Sequence, residues 1–225
     1  MSTTSSLVTR EHFEYVRERT RPEDPFLAEL FQAAKAAGIP PISIAPEQAS
    51  FMQILLKAAR AKEVLEVGTL AGYSAIAMAR ALPAKANGGH LLTLELLEKH
   101  AEFAREWVAK SDVRDRVEVA QGPAIETLRA LPDRSRDAAF LDADKSGYPD
   151  YLVECLRIVR PGGMILVDNA FAFGQLLDEA PTDREVPAVR AFNDIMAKTE
   201  GVHGVIVPLG DGLWVSVLEG GSSSE

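Results

Sequence analysis

The sequence predicts an α/β fold with a mostly parallel seven-stranded sheet, helices on both faces and an antiparallel hairpin at its carboxyl-terminal end. Two observations predict it. From residue 62 onward, short apolar runs typical of buried strands alternate with stretches of helical periodicity, as in a parallel sheet. Near the end of the chain, two further apolar runs flank Leu209-Gly210-Asp211-Gly212, a segment typical of a hairpin turn.

The elements before the sheet are predicted to be helical. Residues 10–38 form a helical preface that is interrupted at Arg21-Pro22-Glu23-Asp24-Pro25, and Pro40-Pro41 then forces an extended segment. The next helix opens at residues 45–48, and its i, i+3, i+4, i+7 spacing predicts one apolar face. The residues of that face are Phe51, Ile54, Leu55 and Ala58.

The sheet and its covering helices follow in alternation. The predicted strands are Glu63–Val67, His90–Leu94, Val117–Ala120, Ala138–Leu141, Met164–Val167, Val202–Pro208 and Leu213–Val217. The predicted helices are Tyr73–Leu82, Glu98–Lys110, Ala124–Ala130, Tyr148–Val159 and Val186–Thr199. Ligands of open parallel sheets bind outside the carboxyl ends of the strands, so the chemistry is expected there.

The length and composition favour one domain. The chain has 225 residues, of which 47% are hydrophobic and 25% charged, enough for a sizeable core. We expect a single domain over residues 1–225, with the helical preface at 1–40 and a flexible tail at 220–225. No apolar run approaches the ~18 residues of a membrane span. The first residues lack the pattern of a signal peptide, so a cytoplasmic protein is expected.

Charge and cysteine content narrow the class further. The formal net charge is −9 and the sequence contains no block of Lys or Arg, so nucleic acid is disfavoured as a partner. Cys155 is the single cysteine, so an intrachain disulfide cannot form. We predict that its thiol is buried and structural rather than nucleophilic.

The first strand ends in an acidic residue and a glycine turn. Gly68 and Gly72 allow a tight turn and close approach of a ligand to the backbone, although a plain strand-to-helix turn also uses glycine. The G-x-G-x-x-G spacing of dinucleotide sites is absent, and Glu66 would repel a pyrophosphate. The carboxylate of Glu66 instead favours a cationic or amine-bearing ligand.

The second strand ends at Glu95, which is placed to accept the two hydroxyls of a ribose. An acidic residue at a strand end is common, but its position next to the turn at Gly68 and Gly72 supports a role in ligand binding. A nucleoside without a phosphate bridge that carries a positive centre describes S-adenosylmethionine. The sequence therefore predicts that cofactor.

Oxygen-bearing side chains follow the fourth and fifth strands. Asp142 comes directly after one strand, and Asp168 and Asn169 come after the next. Two carboxylates and an amide oxygen form the kind of ligand set that Mg²⁺ prefers, although Asp and Asn also cap turns. The four histidines are scattered and show no zinc spacing. We therefore predict a divalent metal site, with Mg²⁺ as the ion.

These residues belong to a set of motifs that resembles one known family. The motifs are Glu66-Val-Gly-Thr-x-x-Gly-Tyr-Ser74, Gly122-Pro-Ala124, Phe140-Leu-Asp-Ala-Asp-Lys145, Arg160-Pro-Gly-Gly163, Val167-Asp-Asn169 and Pro208-Leu-Gly-Asp-Gly212. In their order and spacing, the chain resembles the cation-dependent catechol and caffeoyl-CoA O-methyltransferases from about Tyr15 to Val217. The resemblance implies the Rossmann-like fold of class I methyltransferases.

The resemblance also implies roles for individual residues. It implies cofactor contacts at Ile44, Glu66, Gly68, Thr69, Gly72, Ser74, Glu95, Ala124 and Asp142, and a catalytic role for Asp142 as well. Asp142, Asp168 and Asn169 match the metal ligands of the family. Lys145 matches the residue proposed as general base, and a surface salt bridge from Lys145 to Asp144 is the alternative. The family further implies a homodimer in which the N-terminal helices take part.

The expected reaction is metal-dependent transfer of a methyl group from S-adenosylmethionine to a hydroxyl of a small catechol-like substrate. The segment after Asn169 is apolar and unlike that of the plant caffeoyl-CoA enzymes, so the plant substrate is not carried over. Phe171 and Phe173 are candidates for an apolar wall against an aromatic ring, with a core role as the alternative.

Three alternatives differ from that reaction. Within the family, the acceptor could be a hydroxylated base of transfer RNA, which the negative charge and the missing basic block disfavour. A nicotinamide-dependent oxidoreductase is disfavoured by the glycine spacing and by Glu66. A non-catalytic partner-binding domain would require every strand-end carboxylate to be coincidental.

Overall fold

The computed structural model describes residues 9–220. The first eight residues of the preface, and all of the tail predicted at 220–225 except Gly220, lie outside the described part. The strands are β1 (Glu63–Val67), β2 (His90–Glu95), β3 (Val117–Gln121), β4 (Arg136–Leu141), β5 (Val159–Val167), β6 (Val202–Val207) and β7 (Leu213–Leu218). The α-helices are α1 (Arg10–Arg19), α2 (Pro25–Ala36), α3 (Pro46–Ala58), α4 (Tyr73–Ala79), α5 (Glu98–Lys110), α6 (Ala124–Ala130), α7 (Tyr148–Ile158) and α8 (Val186–Met196).

The order of the strands confirms the predicted fold class. They form one sheet in the order β3-β2-β1-β4-β5-β7-β6. The pairs among β1 to β5 are parallel, and β7 pairs antiparallel with both β5 and β6. Because β7 lies between β5 and β6 and runs against β5, the turn that joins β6 to β7 lies at the carboxyl end of β5.

The two faces of the sheet pack into separate cores. Successive strand residues point to opposite faces, so Val64 joins the core formed with α2 to α5 and Leu65 joins the core formed with α6 to α8. Cys155 of α7 is fully buried in the second core, as predicted. Between residues 9 and 220, no helix combines the length and the apolar character needed to cross a membrane.

The apolar face predicted for α3 is wrong. Ile54 is 63% exposed and Ala58 is exposed, whereas Phe51 and Leu55 are only partly buried. The buried face is instead rotated around the helix axis to the positions that pack against α4, and it includes a polar residue. The buried residues are Gln48, Ala49, Met52 and Leu56.

Strand β5 begins five residues before its predicted start and includes the Arg160-Pro-Gly-Gly163 segment. Arg160 pairs with Asp137 of β4, with 2.6 Å between Nε and Oδ1. A Cβ at Gly163 would lie 2.6 Å from the carbonyl oxygen of Asp137, so glycine allows β5 to approach β4 closely here. The proline and glycines of this motif therefore belong to a tightly paired strand. Helix α8 also ends earlier than predicted, at Met196 rather than Thr199.

Candidate active site

The carboxyl ends of β1, β2, β4 and β5 open into one cavity of about 890 Å³. Helix α2 and the extended segment at residues 40–44 form its other side. The predicted site residues that line it are Ile44, Gly68, Thr69, Ser74, Glu95, Ala124, Asp142, Lys145 and Asn169. Glu66 and Asp168 lie behind this lining, 0% and 6% exposed, and Gly72 lies outside it.

The turn after β1 is fixed between its two neighbouring strands. The Gly68 amide donates to the Leu94 carbonyl oxygen of β2 at 3.0 Å. Gly68 has a φ of +99°, and a Cβ there would collide with the carbonyl oxygen of Asp142 after β4. Gly72, with a φ of +88°, faces Ala104 of α5 instead, where a Cβ would lie at 3.4 Å. Gly68 therefore shapes the cavity, whereas Gly72 allows a helix to pack beside it.

Glu66 lies beneath this turn as a buried, half-satisfied carboxyl group. The Thr93 hydroxyl donates to Oε2 at 2.5 Å, while Oε1 has no hydrogen-bond partner among residues 9–220. Burial raises the pKa of Glu66 to about 8, although the hydroxyls of Ser74 and Thr93 oppose the shift. A buried carboxyl group with an unpartnered oxygen fits a ligand that carries positive charge.

Glu95 is held rigidly at the other side of the turn. Its Oε2 accepts from the Leu70 amide at 2.8 Å, and its Oε1 accepts from the Leu97 amide at 2.9 Å. Each carboxylate oxygen can accept more than one hydrogen bond, so both remain able to receive ribose hydroxyls. Ala124, at the start of α6, lines the cavity beyond Glu95, where the resemblance implies the adenine.

The parallel pairing of β4 and β5 brings the acidic residues together. Leu141 pairs with Val167, and the Asp168 amide donates to the Leu141 carbonyl oxygen at 3.0 Å. Asp142 and Asp168 are therefore neighbours at the sheet edge. Burial, followed by repulsion from the Asp142 carboxylate, raises the pKa of Asp168 to about 7. Gln48 of α3 donates to Asp168 Oδ1 at 2.8 Å.

Asn169 completes the predicted ligand set. It has a φ of +64°, a left-handed conformation that asparagine tolerates better than most residues. Its amide nitrogen donates to Asp211 Oδ2 at 3.2 Å. Two neighbouring carboxylates that repel each other, the buried Asp168 and the partly exposed Asp142, fit a divalent cation together with the amide oxygen. Within residues 9–220, no three His, Cys, Asp or Glu side chains are grouped so that they could hold a metal ion. The predicted ligand set is of another kind, because its third member is the amide of Asn169.

Lys145 lies at the same edge and pairs with Asp142 rather than Asp144. Its Nζ lies 3.3 Å from Asp142 Oδ1 and 2.6 Å from the Tyr148 hydroxyl. The Lys145 side chain is 6% exposed, so the surface salt bridge to Asp144 is wrong. Asp144 instead accepts from the Gly147 amide at 2.9 Å and from the Tyr151 hydroxyl at 2.8 Å. It thereby shapes the short 3₁₀ turn that presents Lys145 to the cavity.

Four residues at the site were missed in the sequence. They are Gln48, Tyr148, Glu185 and Asp211. Tyr148 is buried, and burial followed by the nearby Asp142 carboxylate raises its pKa, so its hydroxyl remains a donor to Leu141. Gln48 offered no signal, because the apolar face predicted for α3 did not include it, and Glu185 offered none, because Lys145 is distant in sequence. Asp211 stands in the Pro208–Gly212 motif, but the motif indicates a hairpin turn and not a contact with Asn169.

The cavity has a carboxylate placed for a ribose and lacks the glycine pattern that binds a pyrophosphate. Buried carboxyl groups stand at the ends of its strands. These features together are those of the S-adenosylmethionine-dependent methyltransferases. The family model described as O-methyltransferase matches residues 17–217. The chain therefore belongs to the O-methyltransferase family. This membership sets aside the nicotinamide-dependent oxidoreductase and the non-catalytic domain.

Similar proteins agree with this family. A catechol O-methyltransferase of Niastella koreensis is 37% identical over 198 residues, which cover 87% of this chain and 88% of that protein. A catechol O-methyltransferase of Mycobacterium tuberculosis is 37% identical over 82% of each chain. The crystal structure of an O-methyltransferase from Bacillus cereus in complex with SAH is 34% identical, with a TM-score of 0.81 over 92% of this chain and 96% of that one. The chain is thus an S-adenosylmethionine-dependent O-methyltransferase of the catechol/caffeoyl-CoA type.

Proposed function

We propose that this enzyme uses a divalent metal ion to methylate one hydroxyl of a small aromatic vicinal diol, and that the ion is Mg²⁺. The observation that carries the proposal is the meeting of Asp142, Asp168 and Asn169 at two adjacent strand ends, beside the cofactor turn. The Lys145 amine lies beside Asp142 at the same edge, so a candidate base and the candidate metal ligands are next to each other in the cavity.

The ligand set defines what the metal would do. When bound, a divalent cation would lower the pKa of a coordinated hydroxyl and favour two neighbouring oxygens over one. Asp142 and Asp168 supply the negative charge, and Asn169 supplies a neutral oxygen. Gln48 holds one oxygen of Asp168, which leaves the other carboxylate oxygen for a ligand.

The residues around Lys145 support a role in moving the proton. In the reaction, the acceptor oxygen forms a bond to the methyl carbon while the bond from that carbon to sulfur breaks. The hydroxyl proton must leave, and we assign its acceptance to the Lys145 amine. The Tyr148 hydroxyl and Asp142 hold Nζ in place, and the Glu185 carboxylate accepts from the Lys145 backbone amide at 3.2 Å. A positioned base of this kind contributes roughly 10²–10⁴-fold to the rate.

The shape of the cavity supports a small acceptor. Phe173 lines it, whereas the ring of Phe171 lies against Gly212 and is not part of the lining. One cavity of about 890 Å³ must hold both the cofactor and the acceptor. Two relatives named catechol O-methyltransferase agree with a vicinal diol. The predicted homodimer and cytoplasmic location stay predictions, because a single chain tests neither.

A substrate panel tests the proposal. The purified enzyme is incubated with labelled S-adenosylmethionine and catechol, dopamine, caffeic acid, phenol or bulk transfer RNA, each with Mg²⁺ or with EDTA. We expect methylation of the vicinal diols only, loss of activity in EDTA, and recovery when Mg²⁺ is returned. Mass spectrometry of the products then gives the methylated position. Full turnover in EDTA would contradict the metal, and label in transfer RNA alone would favour the alternative acceptor.

A variant of one ligand gives the second test. Asp168→Ala should lower kcat/KM by more than the roughly 100-fold that loss of an outer partner of a metal ligand costs. Binding of S-adenosylhomocysteine should be retained, because Asp168 follows β5, which β4 separates from the turn after β1. Asp194→Ala, at an exposed position of α8, is the matched control and should behave as the wild type. Mg²⁺-dependent turnover by Asp168→Ala at the wild-type rate would rule out this ligand.

A further inference from the structure

The turn between β6 and β7 (residues 209–212) contacts the segment that carries Asn169. The Ala170 amide donates to the Gly212 carbonyl oxygen, and the Phe171 amide donates to the Asp211 carbonyl oxygen, each at 2.8 Å. The turn is thus fixed to the chain directly after the predicted metal ligands.

The side chain of Asp211 is the centre of this contact. Its Oδ2 accepts from the Asn169 amide nitrogen at 3.2 Å and from the Phe173 backbone amide at 2.7 Å. Its Oδ1 accepts from the Gly174 backbone amide at 3.0 Å. An ionised carboxylate accepts hydrogen bonds and donates none, so every group that faces Asp211 must be a donor.

This constraint acts on the orientation of the Asn169 amide. The two ends of an amide are nearly equal in size but opposite in hydrogen-bonding character, since the nitrogen donates and the oxygen accepts. Asp211 can pair only with the nitrogen, so the oxygen lies on the opposite edge of the amide. A cation needs that oxygen and is repelled by the donor N–H groups.

We propose that Asp211 is a positioning residue that sets the Asn169 amide so that its oxygen, not its nitrogen, is offered to a divalent cation. The proposal rests on the metal dependence proposed above. It gives the terminal hairpin a part in metal affinity, although the turn contributes no ligand itself.

The glycines of the turn support this arrangement. Gly210 and Gly212 have φ values of +61° and +81°, which favour glycine over other residues. A Cβ at Gly210 would collide with the amide oxygen of Gln48, and a Cβ at Gly212 would lie 2.8 Å from the Phe171 ring. Gln48 also donates to Asp168. The same turn therefore supplies Asp211, the partner of Asn169, and lies against Gln48, the partner of Asp168.

A purely structural role for Asp211 is the competing explanation, because it also holds the backbone amides of Phe173 and Gly174. The two roles differ in their dependence on residue 169. In Asp211→Asn, residue 211 can donate as well as accept, so either end of the Asn169 amide can face it. In the double variant Asn169→Asp/Asp211→Asn, residue 169 has an oxygen at both ends, so the orientation no longer matters.

Binding of Mn²⁺ alone tests the proposal. Its affinity is measured by calorimetry, and its bound fraction by electron paramagnetic resonance, on the intact chain without substrate. We expect Asp211→Asn to bind Mn²⁺ about 10-fold more weakly than the wild type or worse, the cost typical of an outer partner of a metal ligand. The Mn²⁺ affinity of the double variant should return to within about 3-fold of the wild-type value, which is smaller than the loss expected from a missing outer partner.

Matched controls separate orientation from charge and from folding. Glu185→Gln removes one carboxylate that lines the same cavity but pairs with the Lys145 backbone, and it should leave Mn²⁺ affinity nearly unchanged. Thermal midpoints without metal and the affinity for S-adenosylhomocysteine show whether each variant folds.

Several results would overturn the proposal. One is an equal Mn²⁺ affinity for Asp211→Asn and the wild type, which leaves the proposed function intact. Another is a loss of affinity that the double variant does not recover, or that Glu185→Gln reproduces, because either would make Asp211 a structural or purely electrostatic residue. If the wild type itself bound no Mn²⁺, the metal dependence and the role of Asp211 would both be wrong.

Discussion

The two halves of the active site are built from contacts of different range. The cofactor half consists of Glu66–Ser74 and Glu95, and its key contacts join residues 25 to 27 positions apart, across two neighbouring strands. The acceptor half consists of Asp142, Lys145, Asp168 and Asn169. Its residues are held by partners 120, 42 and 40 positions away, in α3, the β6–β7 turn and the residue before α8. One half is therefore a local motif, whereas the other depends on the whole fold.

The halves also differ in how they carry buried charge. In the cofactor half, Glu66 is one carboxyl group with an unpartnered oxygen, and burial raises its pKa to about 8. In the acceptor half, the Asp142 carboxylate raises the pKa of Asp168 to about 7, so two neighbouring acidic groups repel each other there. A single positive ligand suits the first half and a divalent ion suits the second, so each half can be disabled without the other.

The largest effect is expected from the acceptor half. Lys145→Met keeps the length of the side chain but removes the amine, so kcat should fall roughly 10²–10⁴-fold. Affinity for S-adenosylhomocysteine should change little, because Lys145 touches Asp142 and Tyr148 rather than the cofactor turn. Steady-state kinetics and calorimetry measure the two quantities.

Lys198→Met is the matched control, at an exposed position beyond the end of α8, and should retain full activity. If Lys145→Met kept the wild-type kcat at every pH, the base role would be wrong. If it lost cofactor affinity as much as turnover, the two halves would not be separable.

A smaller effect, on stability and cofactor binding, is expected from Glu66→Gln. The pKa of Glu66 is about 8 in the folded protein and near its ordinary value of 4.5 when unfolded, so folding binds a proton between those values. The ligand-free wild type should therefore lose stability as pH rises through this window, by up to roughly 1.4 kcal/mol per pH unit from this group. Glu66→Gln should remove that part of the slope and weaken cofactor binding, since the charge is gone.

Denaturant unfolding of both proteins from about pH 5 to about pH 9 isolates the contribution of Glu66, because the other titrating groups are shared. Parallel slopes for variant and wild type would show that the carboxyl group is not protonated on folding. An unchanged affinity for S-adenosylmethionine would show that its charge does not serve the cofactor.

The difference in range explains what the sequence could predict. The strand-end residues Glu66, Glu95, Asp142 and Asp168 were identified because parallel strands bring their carboxyl ends together whatever the details of packing. The start of β5 was not predicted, because the Arg160–Asp137 ion pair there joins two strands whose pairing the sequence does not show. The apolar face of α3 was misread because a period of 3.6 residues leaves neighbouring stripes nearly equal until the packing partner is known.

The partners of the acceptor half needed the sheet order. The sequence shows that β6 and β7 form a hairpin, but the hairpin could join the sheet in either orientation. The order β5-β7-β6, with β7 antiparallel to β5, places the β6–β7 turn at the carboxyl end of β5, where Asp211 meets Asn169. Gln48 likewise reaches Asp168 only because α3 covers this end of the sheet.

The smallest effect should come from the wall of the cavity. Phe173 is 41% exposed and lines the acceptor end, so it can contact a ring without being part of a core. Its φ is +59°, and alanine retains the Cβ, so Phe173→Ala removes the ring while leaving the backbone strain as it was. Loss of one aromatic contact should cost about 0.5–1.5 kcal/mol, which raises the KM for catechol about 2- to 12-fold with little change in kcat. Leu177→Ala, at a 91% exposed position of the same loop, is the control for a general effect on the loop. A fall in kcat comparable to that of Lys145→Met would mean that the ring helps to align the reacting hydroxyl, and the loop would then belong to the acceptor half rather than to its rim.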